Sequence, residues 1–384
     1  MRQPRDWGSP CPNPECPLYK RRQKGNVSAI SPYRTHRGKR RSVRCPQCAQ
    51  CFSETRDTVF FDLRTPAEKV MMALTMRLVR VDLAGLGFVL GVTAAPVVAG
   101  RRRGAQQAEA IHHHRLRPLP VTQGQLDERW SVSERPPARE TDEAGASWPG
   151  GEAGRPWVWV SFAPACRLMI AAVVGPRTLD PAKEVGAATQ ARVAGLPACC
   201  SDGCTGSRAA LLAAFHVVPT FARTGKRGRP RQPVGAPHPH PLYGQLVQQQ
   251  QPGTLLTLST RVVLGAERLT HLGLTISTAL GERVPVTLRQ AWAPLSRKTS
   301  SCGKDRERLR QRVVCLHAFD NVARPHRSWR QPLPLHERTC HGAICPRWRA
   351  RTPAMAAGLT DHGWTLRALL TATFEPLDSQ SISG

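Results

Sequence analysis

The sequence predicts a multidomain α/β protein, and three observations predict it. Two short cysteine pairs bracket the first fifty residues, an apolar helical period follows them, and from about residue 120 strand-like runs alternate with helical ones. Each pattern belongs to a different kind of unit, so the chain reads as 1–60, 61–118 and 119–335, with a tail over 336–384.

Composition sets the partner. Lys and Arg number 55 against 27 Asp and Glu, a formal net charge of +28 across 384 residues. A field of that size attracts polyanions and binds phosphate backbones in a salt-sensitive, sequence-independent way. Nucleic acid is therefore the expected partner. No apolar run reaches the roughly 18 residues of a membrane span, and MRQPRDWGSPCPNPEC lacks the apolar core of a secretion signal. The chain reads as cytoplasmic. In that reducing setting its 13 cysteines suggest metal ligands or buried thiols. Proline (34) and glycine (31) are high and aromatics only 5%, so the core is expected to be poorer than the length suggests.

In the first segment Cys11 and Cys16 stand before a long basic stretch, and Cys45 and Cys48 close it. Two such pairs are the mark of a tetrahedral Zn²⁺ site, because each pair can chelate from one tight turn. Unliganded thiols are the competing reading, and Cys51 is a spare that could substitute for a ligand.

Over 66–114, Val70, Met71, Leu74, Leu78 and Val81 recur at helical spacing. LAGLGFVLGVTAAPVV then predicts two helices around a turn at Gly91, with Thr93 capping the second and Pro96 tolerated in its first turn. This is a helix-turn-helix pattern, set against a plain helical bundle. Arg101, Arg102 and Arg103 follow on the last helix and could grip phosphates, whereas His112, His113 and His114 read as a solvated linker.

The third segment runs strand (VTQGQLDERW), strand (157–162), strand (167–175), helix (178–195), strand (LPACCSD), helix (SRAALLAAFH) and strand (VVPTF). A basic, then Pro- and Gln-rich insertion is expected at about 222–254. Its Lys226, Arg227, Arg229 and Arg231 could lie along a DNA minor groove or form a solvated loop. KDRERLRQRVV (304–314) reads as a surface helix.

Three carboxylates stand out. Asp127 and Asp202 end apolar strand-like runs, and Glu282 lies on a stretch that reads as a helix. Carboxylates gathered from distant points suit two-metal phosphoryl transfer, in which paired cations stabilise attacking and leaving oxygens. The motifs QLDE, SDG and ERVPVTLRQ, with FDNVARPHRSW (319–329), together resemble the DDE transposases of bacterial insertion sequences. That resemblance covers nearly the whole chain.

It implies a zinc ribbon and helix-turn-helix ahead of an RNase H-like catalytic domain. It also implies Mg²⁺ or Mn²⁺ held by Asp127, Asp202 and Glu282, and DNA contacts from Arg324 and His326. The partners would be double-stranded DNA, both terminal inverted repeats and target, bound by a homo-oligomer assembled on it, nucleoid-associated and away from membranes. The chain departs from the pattern at Pro285, which in a helix interior costs about 3 kcal/mol, and at Cys199, Cys200 and Cys204 around Asp202. A relic that binds DNA through its zinc and helix-turn-helix segments without cutting it is the alternative.

Overall fold

The structure is a computed structural model that describes residues 10–21, 27–35, 38–78, 81, 83–130, 157–201, 205–217, 236–237, 242–251, 254–271, 306–338, 347–372 and 374. The chain divides into two units: Met1–Arg115 together with Gln311–Gly384, and Leu116–Arg310. Residues 311–384, including the stretch read as a tail, thus group with the first 115.

The first unit opens with an antiparallel sheet of β1 (Ser28–Thr35), β2 (Gly38–Arg44) and β3 (Cys51–Ser53), in that order. β1 is exposed along almost its whole length, so the sheet has little apolar face to bury. Its core is Val27, Val43 and Phe52 gathered around Cys11, Cys16 and Cys45. So small a core needs a cross-link or metal to hold it.

Three helices follow: α1 (Ala67–Leu78), α2 (Leu83–Leu90) and α3 (Ala94–Arg115). Gly91 takes φ +60 at the turn between α2 and α3, where a side chain would be strained. Ala73, Leu86, Val92 and Val97 form the shared core. On α3 the buried positions Val97, Gly100, Gly104, Ala108 and Ile111 recur every three to four residues, one face of a helix. A Cβ on Gly100 would stand 3.2 Å from Val70 Cγ1, so the glycine that costs helix propensity permits α1 to approach.

The second unit is built on a six-stranded sheet. β4 (Gln123–Trp130) pairs antiparallel with β5 (Trp157–Ala163), which pairs antiparallel with β6 (Leu168–Gly175). Helix α4 (Leu179–Gln190) then leads to β7 (Ala198–Ser201), which lies parallel to β4 on its other side. Helix α5 (Thr205–Ala214) follows. Of the expected strand VVPTF the described residues include Val217, in β8 (His216–Val217), which pairs with β9 (Ala236–Pro237) outside the main sheet; residues 218–221 lie outside the described ones. The next sheet strand is β10 (Tyr243–Gln251), parallel to β7, and β11 (Thr254–Leu264) turns back against it before α6 (Ala266–His271).

This corrects the expected insertion over 222–254. Its last part, including the glutamine run, is a sheet strand, because backbone pairing to β7 and β11 does not require apolar side chains. The sheet order is β11-β10-β7-β4-β5-β6.

Strand alternation sends Leu126, Trp157, Trp159, Ala171, Val173, Cys199 and Tyr243 into one core with Val185 of α4 and Ala210 and Leu211 of α5. Gly186 lets the two helices touch, since a Cβ there would stand 3.0 Å from the Ala210 carbonyl oxygen. The buried hydroxyl of Thr189 meets Ser161 Oγ at 2.6 Å, satisfying both inside the core.

Helix α7 (Arg306–Val322) returns the chain to the first unit. The stretch read as a surface helix buries Leu309, Gln311, Val313 and Val314. After β12 (Gln331–Pro332) and β13 (Trp348–Arg349) come α8 (Pro353–Ala356) and α9 (Leu366–Thr371). Thr352 and Thr365 cap the two helices through their hydroxyls. Leu370 of α9 reaches Gly104 of α3, its carbonyl accepts from Val59 N, and Arg367 pairs with Glu68 of α1 at 2.9 Å. Among the described residues no helix is long and apolar enough to cross a membrane.

Leu126→Ala empties a position 4% exposed in the core of the second unit. Urea denaturation should show a loss of about 2–5 kcal/mol, with β4 still paired and Asp127 still in place.

Candidate functional site

The four cysteines of the first segment converge. Cys11, Cys16 and Cys45 are buried and Cys48 half-buried, and their sulfurs all lie within 4.8 Å of one another. Cys11 Sγ is 3.6 Å from Cys48 Sγ and Cys16 Sγ is 3.8 Å from Cys45 Sγ. Tetrahedral zinc with bonds of about 2.3 Å sets its sulfurs roughly 3.8 Å apart, so the cluster fits that ion and is far too open for disulfides. Local backbone does the positioning: Lys20 N donates to the Cys11 carbonyl, and Cys45 N to that of Gln50.

The backbone N–H of Gln50 pulls the Cys48 thiol down to about 7. Burial pushes Cys11 and Cys16 up, a cost that a bound divalent cation reverses. Cys51 is excluded: it is exposed on β3 and its Sγ faces the Ala49 carbonyl. Among the described residues this is the one group of three or more His, Cys, Asp or Glu that could hold a metal ion.

The helical arginines do not act together. Successive helix residues turn about 100°, and the three side chains separate accordingly. Arg101 is buried and its Nε donates to Gln311 Oε1 at 3.2 Å. Arg103 donates to the carbonyls of Val59 and Phe61. Arg102 alone of the three is exposed. The expectation that all three act together is therefore corrected: Arg101 is engaged inside the fold, and Arg102 is the exposed member of the triplet.

The same rotation overturns the solvated reading for His112 and His114, while His113 is exposed. The three form the last turn of α3, His112 is buried with its ring 3.8 Å from that of His317, and His114 stacks on Phe374 at 4.7 Å.

Arg324 and His326 are also engaged within the fold. Arg324 Nη1 pairs with Asp320 at 2.8 Å, one helical turn back, and its guanidinium lies over the Phe319 ring. His326 Nδ1 accepts from Ser328 N and caps the short turn Arg327–Trp329. Both side chains thus have a helix-end role within the fold.

In the second unit Asp127 lies on β4 beside Leu126, so alternation turns it to the face opposite α4 and α5, shared with Gln125. It is half-buried, and its Oδ1 is sheltered from solvent. Asp202 follows β7 directly in sequence, but it and Glu282 lie outside the described residues, as do Pro285, Lys226, Arg227, Arg229 and Arg231.

Two groups lie near the end of β7, of which the first, a hydroxyl cluster, carries no sequence signal. Ser201 Oγ lies 2.7 Å from Tyr243 OH, and Gln245 Nε2 donates to the same hydroxyl at 3.0 Å. Cys199 and Cys200 are buried in β7 and held neutral by burial, with Cys199 Sγ facing Gly124 of β4. The chain matches no protein-family model and no curated protein.

Cys16→Ser or Cys45→Ser should abolish zinc uptake by the purified protein, and Cys51→Ser should leave it unchanged. Metal analysis of the three variants decides the ligand set. A separate expectation concerns Asp320. Burial raises its carboxyl from 3.8 to about 6, against the opposing pull of Arg324. The folded chain then holds this proton more tightly than the unfolded one, so the contribution of Asp320 to stability falls as pH rises from about 4 to about 6 and is flat above. Asp320→Asn should lose that slope, read as the difference between variant and parent in urea titrations at pH 4.5 and 7.

Proposed function

We propose that this chain is a DNA-binding protein whose second unit cuts and joins DNA strands, as a transposase of the DDE class does. The observation that carries the reading is the strand order β6-β5-β4-β7-β10, with β4 antiparallel to β5 and parallel to β7, and helices after β6 and β7. An RNase H-like sheet has this order, counted from its central first strand. Asp127 stands on that central strand, and Asp202 comes directly after the neighbouring parallel one.

In this reading Asp127, Asp202 and Glu282 hold Mg²⁺ or Mn²⁺. The cations would supply charge neutralisation at the attacking and leaving oxygens of a phosphodiester. Asp127 contributes a carboxylate fixed by the sheet, and the core behind Leu126 keeps it from moving along the strand. The first unit binds DNA ends: its sheet serves as the zinc ribbon, α2–Gly91–α3 serves as the helix-turn-helix, and Arg102 is the exposed member of the arginine triplet on its last helix. A net charge of +28 favours duplex binding in the cytoplasm, on the nucleoid. Assembly of more than one copy on paired inverted repeats follows from the need to bring two ends and a target together.

The test is strand cleavage and joining on DNA flanking the chain's own gene, with Mg²⁺ or Mn²⁺. Nicked ends and joined products are expected from the parent protein, and neither above the uncatalysed background from Asp127→Ala. Binding to those ends without cleavage by the parent protein would sink the catalytic part and leave the DNA-binding relic.

A further inference from the structure

A cleft of about 550 Å³ opens within the first unit, and none of the four cysteines is among its lining residues. Its size falls within the range of small-ligand sites. Four separate pieces of chain build it: the cysteine segment at Pro10, Pro12, Tyr19 and Lys20, the turn Arg56–Phe61, α3, and the residues after α9. The charge on its walls is uneven. Lys20, Arg56 and Arg103 are permanent cations, and Asp57 is the one carboxylate among the lining residues.

Each aromatic ring in the wall has a basic side chain against it. Lys20 Nζ lies 5.1 Å from the Tyr19 ring centre and the Arg56 guanidinium 4.8 Å from that of Phe61. The His114 ring stacks on Phe374 within 7° of parallel. Arg103 is fixed in the wall by its bonds to the Val59 and Phe61 carbonyls, so its charge is placed before any ligand arrives. Burial, and then the neighbouring charges of His113, Lys20 and Arg115, lower His114 from its ordinary value, which is what a cationic setting does to an imidazole.

Flat rings beside fixed cations are how proteins hold a base and its phosphate together. We propose that this cleft is a nucleotide-binding site, taking a phosphate between Lys20, Arg56 and Arg103 and a base against Tyr19, Phe61 or Phe374. The nucleotide is either free or one unit of a single strand, and the latter deepens the DNA-binding reading above. Zinc binding supports the cleft indirectly: Cys11 sits between Pro10 and Pro12, and its carbonyl accepts from Lys20 N at 3.0 Å. A zinc ion that gathers the sulfurs would thereby hold one wall.

The experiment is a binding titration with the zinc-loaded full chain against deoxyadenosine monophosphate, inorganic phosphate, an eight-nucleotide single strand and its duplex. It is repeated with Arg56→Ala and Lys20→Gln, and in parallel on Asp127→Ala. Saturable binding of the mononucleotide, tighter than that of phosphate and weakened at least about tenfold by either cleft variant, supports a free-nucleotide site. Binding of the single strand alone, with the same loss, supports one unit of a strand. Arg56 is half-exposed, so zinc content and melting temperature should stay at parental values and separate lost binding from lost fold. Binding of none of the four, of phosphate or duplex only, or binding unchanged in both variants, overturns the proposal. Intact binding by Asp127→Ala, whatever its cleavage activity, keeps this result distinct from the fate of the catalytic reading.

Discussion

The two-residue period of β4 is the constraint on which the second unit depends. Leu126 must enter the core made with α4 and α5, and its neighbours Gln125 and Asp127 are thereby turned to the other face. A slip of one residue would put a carboxylate among Trp157, Trp159 and Val185, at the cost of an unpaired charge in an apolar interior. The hydrophobic register thus fixes the carboxylate as firmly as any direct contact could. Parallel pairing of β7 through Gln123↔Ala198 and Gln125↔Cys200 carries the same register to the strand that ends just before Asp202.

The first unit solves a different problem. Its β-sheet is too thin and too exposed to stand on apolar burial, and four inward sulfurs take over that role. Its helices meet through small residues: Gly100 admits Val70, and Gly104 admits Leu370 and Cys315. Close backbone approach gives these contacts their dispersion energy but leaves no room for longer side chains. Charged residues then become part of the interior where α3 and α7 meet, as Arg101 does with Gln311.

How much of this the sequence carried differs from element to element. The runs that became β5, β6 and β7 were legible because they are short, apolar and rich in Val, Ile or Cys. The helix after β6 was legible from its apolar period. The cysteine quartet was legible because chelation imposes spacing, although nothing in the spacing excludes Cys51. β10 was not legible: YGQLVQQQQ has the composition of a linker, and its partners β7 and β11 lie far from it or follow it in the chain. The arginine triplet misled because charge density along a sequence does not reveal which side of a helix each residue occupies. The cationic cleft had no sequence signature, since its walls come from residues some 350 positions apart.

The first unit is interrupted in sequence by the second, and this has a consequence for biogenesis. A ribosome completes residues 1–115 long before it reaches the residues that finish their packing. Until α9 emerges, the Val59 N–H lacks the Leu370 carbonyl and the shallow seat at Gly104 stays uncovered. The interposed 195 residues from Leu116 to Arg310 can fold as a body in the meantime. Early zinc capture by the four cysteines would then keep the nascent amino-terminal portion from collapsing on its own or on a neighbouring nascent chain while it waits.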